Sequence, residues 1–154
     1  MVTTEQMFKG FNLLSSLSNI ECINSGGCLF VCLGVYKALL NEGIDDKNIV
    51  IVQLELLGSP SIEENKKFIE GLNEKAYSSS HFALSFDGGL TCYDCDGMVN
   101  VERYPLHLII PNNMIEKFSI NALTYGDWNP WFDREIGVSE INNILGTNLE
   151  CYYN

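Results

Sequence analysis

Three kinds of side chain in this sequence could together carry out nucleophilic acyl transfer. Cys28 follows the pair Gly26-Gly27 and opens an apolar run that reaches Asn41, His81 opens a later strand-like run, and Asp94 and Asp96 follow that histidine by about one hairpin. A cysteine in the first turn of a helix sits among backbone N–H groups that have no partner one turn back, and their partial positive charge favours thiolate over thiol. The same N–H groups can hold an oxyanion, here that of Cys28 itself with help from the Asn24 side chain. Glycine at 26 and 27 leaves the backbone free to adopt unusual dihedrals and to let a substrate carbonyl approach.

The histidine and aspartates are linked by a hairpin signal. Asp87-Gly88-Gly89 separates two runs of strand character, 80–86 and 90–96. With Gly88 and Gly89 as a two-residue turn, Asp87 pairs with Leu90, so Ala83 faces Asp94 and His81 faces Asp96. Side chains alternate across a strand, so His81, Asp94 and Asp96 then share one face, and a turn one residue longer breaks that agreement.

These residues need elements to carry them. The stretch 28–41 is apolar on nearly all sides, which predicts a helix in the middle of the fold, with Gly34 marking a close approach and Gly43 a left-handed stop. A shorter helix is expected over 5–17, with Gly10 weakening it. A β-branched strand is expected over 46–57, a helix capped by Ser61 with Glu64 completing a capping box, a strand over 101–111, a short helical piece capped by Asn112, an aromatic loop from Tyr125 to Asp133, and a final helix from Glu140 to Leu145 capped by Ser139 and ended by Gly146. The sum is an α+β domain spanning residues 1–154.

Composition narrows the function classes. Hydrophobic residues make up 46% and charged residues 19% of the 154, as in ordinary globular proteins. A formal charge of −11 with no basic stripe excludes a nucleic-acid binder. The start Met-Val-Thr-Thr-Glu-Gln-Met-Phe-Lys lacks a secretory pattern and no apolar run approaches bilayer length, so a cytoplasmic, membrane-free setting is expected. Six cysteines there read as thiols, catalytic groups or ligands rather than disulfides.

A buried helix beginning with cysteine after Gly-Gly, then a histidine opening a strand, then an aspartate one hairpin on, resembles the papain-like cysteine hydrolase superfamily over residues 20–100, most closely its transglutaminase-like, peptidase and acyltransferase branches. The resemblance implies a papain-like fold and a Cys-His-Asp triad working through a thioester on a peptide or isopeptide bond of a protein substrate. It places Cys28 as nucleophile, His81 as base and acid, and Asp96 as the residue that orients the imidazole, with Asp94 as the other choice. Similar hairpins put that third residue about fifteen positions after the histidine, which selects Asp96. Where papain carries a glutamine six residues before its cysteine, this chain has Cys22.

No cofactor is implied. Cys92 and Cys95 with Cys28 and Cys32 or Cys22 could suggest zinc, yet residues three apart on a strand face opposite sides and no glycine turn separates them. Cys32 reads as core, and His107, between Leu106 and Leu108, as structural. The competing expectation is an inactive copy of the same fold that works as an acidic binding or inhibitor module.

Overall fold

The computed structural model describes residues 2–23, 27–55, 81–115 and 132–150. These form an α+β fold in which an antiparallel sheet is packed against helices. In chain order they give α1 (Thr4–Ser16), α2 (Cys28–Asn41), β1 (Val50–Glu55), β2 (His81–Ser85), β3 (Tyr93–Asp94), β4 (Gly97–Met98), β5 (Leu106–Ile110) and α3 (Arg134–Leu145). The strands lie in the order β4-β3-β2-β1-β5. No helix among the described residues is long and apolar enough to cross a membrane.

Helix α2 is enclosed as its sequence requires, with ten of its fourteen residues buried. Its axis runs past α3, and Gly34 is the point of contact: a Cβ there would lie 2.7 Å from Ile141 Cγ2 and 3.1 Å from Leu145 Cδ1. Gly43 supplies the left-handed residue at φ +89°, and the Gly43 and Ile44 N–H groups close the helix on Leu40 and Leu39. Gly34→Ala gains about 1 kcal/mol of helix propensity, but overpacking against the fully buried Ile141 costs about 1–3 kcal/mol. A net loss is expected, read as a lower urea midpoint.

Helix α1 begins on a capping box: the Gln6 N–H donates to Thr3 Oγ1 at 3.1 Å, and the Thr3 N–H donates to Gln6 Oε1 at 2.9 Å. Gly10 within it makes room for Phe86, whose Cζ would stand 2.6 Å from an added Cβ. The Phe11, Phe86 and Tyr93 rings then tie α1 to the β2–β3 hairpin.

The central strand β1 pairs with β2 from Val50↔Ser85 to Leu54↔His81 and with β5 from Ile51↔Ile110 to Glu55↔Leu106. Ile51, Phe82, Leu84, Leu108 and Ile110 join the helices in the main core. Val52, Leu54 and Ala83 join Cys92 in a second cluster, packed by Val99, Val101 and Tyr104. Both faces of β1 and β2 are therefore covered.

Several boundaries differ from the sequence expectation. The strand expected over 46–57 opens as a 3-10 turn at Asp46–Asn48, and that over 101–111 does so at Val101–Arg103. Asn112 does not cap: its amide reaches back to the Asp46 and Ile49 carbonyls, pinning the segment after β5 to the entry of β1. The final helix starts at Arg134, where Asp133 accepts the Ile136 N–H at 3.0 Å, so Ser139 lies inside it. Gly146 ends it at φ +68°. The helix expected after Ser61 and the loop residues Tyr125 to Trp131 lie outside the described residues.

Candidate active site

Cys28 is the first residue of α2, half-buried, and Gly27 before it is the N-cap. Gly27 lies at φ −92°, so the unusual dihedrals anticipated for the glycine pair are not what requires it there. Steric room is. A Cβ at Gly27 would fall 2.5 Å from the Ile23 carbonyl oxygen and 2.9 Å from the Phe132 ring. Because Gly27 has no side chain to cap the helix, the Cys28 N–H at the first position keeps no intrahelical acceptor. Asn24 and Gly26 lie outside the described residues.

His81 opens β2. The hairpin keeps the anticipated register where it pairs, Leu84↔Tyr93, and Gly88 and Gly89 take the positive φ values, +76° and +96°, that a primed turn demands. One step further along the ladder, Asp94 stands opposite Ala83, on His81's side and diagonal to it. The two meet: His81 Nε2 and Asp94 Oδ2 are 2.7 Å apart, with the side chains 12% and 18% exposed.

The structure departs from the sequence reading at Asp96, which does not face His81. After Asp94 the chain turns at once, through Cys95 and Asp96, into β4, with Asp94 paired to Gly97 and Gly97 at φ +113°. Asp96 is thereby carried to the exposed turn, and its backbone N–H donates to Asp94 Oδ1 at 2.8 Å. One carboxylate thus holds the turn with one oxygen and the imidazole with the other.

Electrostatics follow from that geometry. Burial works against the charged ring of His81, but hydrogen bonds with Asp94 and with Cys28 outweigh it and raise its pKa to about 9. For Asp94, burial opposes the carboxylate, while the hydrogen bonds from His81 and from the Asp96 and Gly97 N–H groups lower its pKa. Asp94, His81 and Cys28 therefore form one connected line.

The remaining thiols are unlike Cys28. Cys32 is fully buried and its pKa is pushed well up, by burial first and then by Cys28 and Asp94. Burial likewise pushes Cys92 and Cys95 up to about 11. Among the described residues no group of three or more His, Cys, Asp or Glu is placed to hold a metal ion. His107 lies on the exposed side of β5, its Nε2 3.3 Å from the Val101 carbonyl.

Two features escape sequence reasoning. The Tyr104 ring lies nearly parallel to that of His81, centroids 6.2 Å apart at 20°. On β1, Gln53 and Glu55 are both buried, with Gln53 Nε2 donating to Glu55 Oε1 at 2.6 Å and Gln53 Oε1 left without a partner among the described residues. Proximity to His81 along the β1–β5 ladder is the signal that could have found Tyr104; nothing in the sequence marks the glutamine and glutamate as interior. Comparison of the chain with protein-family models, with curated proteins and with solved structures gives no match.

Proposed function

We propose that the chain is a cysteine-dependent acyl-transfer hydrolase of papain-like design, acting on a peptide or isopeptide bond. The observation that carries the reading is the line Asp94–His81–Cys28, in which a buried carboxylate fixes one face of an imidazole and a helix-opening thiol meets the same ring. A nucleophile, a base oriented by a third group, and a free N–H for the oxyanion are the parts such chemistry needs.

Each residue has a definite task. The Cys28 sulfur attacks the carbonyl carbon, and the oxyanion rests on the Cys28 N–H. With Nε2 engaged by Asp94, Nδ1 is the ring nitrogen left to exchange protons with the sulfur and the leaving amine. The C–N bond breaks as the ring hands its proton to nitrogen, leaving a thioester on Cys28. Water or a second amine attacks that thioester, returning the proton to the ring and the sulfur to its starting state. Asp94 keeps the ring in one tautomer and stabilises its cation.

A peptide-like electrophilic acyl probe tests the reading. Mapped by mass spectrometry at pH 7, label is expected at Cys28, absent in Cys28→Ala and reduced at least about tenfold in His81→Ala. Label distributed over the cysteines only after unfolding, with none on the native protein, would favour the inactive binding module instead.

A further inference from the structure

The chain has two histidines, and the sheet brings both to one row. Leu54 on β1 pairs with His81 on one side and with His107 on the other, so the two rings lie on the same face, two strand spacings or roughly 10 Å apart. Tyr104 packs into the cluster containing Leu54 and Ala83, between the strands that carry them, and turns its ring toward His81. Its backbone is tied down. The Val101 carbonyl accepts the Tyr104 N–H at 3.0 Å and lies 3.3 Å from His107 Nε2, and Asn100 caps the turn by accepting the Glu102 N–H at 3.2 Å.

We propose that Tyr104 is a positioning residue for His81, a flat wall that keeps the imidazole against Asp94 and keeps water off the bond between them, held in place by the Val101 carbonyl and His107. The proposal rests on the acyl-transfer reading of the site. It accounts for how His81, at the very start of β2, is anchored without a preceding turn of strand: Asp94 fixes its edge and Tyr104 limits rotation of its face. An aromatic face also favours the cationic ring, the form that must donate to the leaving amine.

Selective 15N-histidine labelling tests this cleanly, since His107→Gln leaves one ring to observe. Tyr104→Leu keeps apolar packing on Leu54 without the flat face, and Tyr104→Phe keeps the face without the hydroxyl. A slowly exchanging His81 Nε2–H resonance is expected in the native chain and in Tyr104→Phe. In Tyr104→Leu it is expected to broaden into water, and iodoacetamide alkylation of Cys28 at pH 7 to slow roughly tenfold. A sharp resonance and unchanged alkylation in Tyr104→Leu would overturn the proposal. Should His81→Gln leave Cys28 alkylation unchanged, the acyl-transfer reading fails by itself, and the resonance still decides for or against Tyr104.

Discussion

Asp94→Ala is expected to lower acyl-transfer turnover on the order of 10²-fold, whereas Asp96→Ala stays within about threefold of the native rate. The separation follows from what each residue gives. Asp94 supplies the oxygen 2.7 Å from His81 Nε2, and Asp96 supplies a backbone N–H that alanine retains. Asp94→Asn is the informative intermediate: its amide oxygen can still receive the Asp96 N–H or the imidazole proton, but it carries no charge to stabilise the imidazolium. Its rate should fall between the other two, with the loss concentrated in kcat rather than KM. Equal losses for Asp94→Ala and Asp96→Ala would remove Asp94 from the line.

The second large effect is on stability against pH. His81 has a folded pKa of about 9 against an ordinary value of 6.5, so its contribution is fully present below pH 6.5 and is lost as pH rises through about 9. Asp94 is shifted the other way, so its contribution is present above its ordinary value of 3.8 and is lost as pH falls through its lowered folded value. The pair therefore supports the fold across the neutral range and lets go at both ends. The His81 shift corresponds to about 3 kcal/mol, shared between Asp94 and Cys28. Urea unfolding of the native chain and of His81→Gln, compared from pH 6 to 10, isolates this share from the buried thiols, which lose stability over the same upper range. The difference between the two curves should shrink by about that amount. A difference that stays constant would remove the ion pair from the stability of the fold. Turnover should decline over the same upper limb, because a neutral ring has no proton for the leaving amine.

Much of the frame was legible in the sequence. The all-round apolar run from Cys28, the close approach at Gly34, the stop at Gly43 and the hairpin register around Gly88-Gly89 follow from local chemistry, and each is found. The third residue was harder to place because the argument assumed a strand that continues. Asp94 instead folds its own carboxylate onto the Asp96 N–H, and Gly97 takes the positive φ that lets the chain double back. Competition between side-chain and ladder hydrogen bonds decided it. The start of the final helix was missed for a related reason, since Ser139 and Asp133 are both good caps and only packing selects between them. A Cβ at Gly137 would lie 2.2 Å from the Phe132 ring, so that aromatic residue settles on the first turn and fixes the start at Asp133. Gln53 and Glu55 alternate with apolar neighbours as on a half-wet strand, and it takes the whole fold to enclose them.

The strand order carries a consequence for how the molecule comes into being. The innermost strand finds its neighbours only among segments made later, and His81 follows Cys28 by 53 residues. During synthesis the thiol therefore emerges long before its imidazole, and no early fragment holds both. Sheet closure, which must bear the entropy of those long loops, is the step that arms the sulfur, so a growing chain on the ribosome is chemically quiet until its architecture is nearly whole.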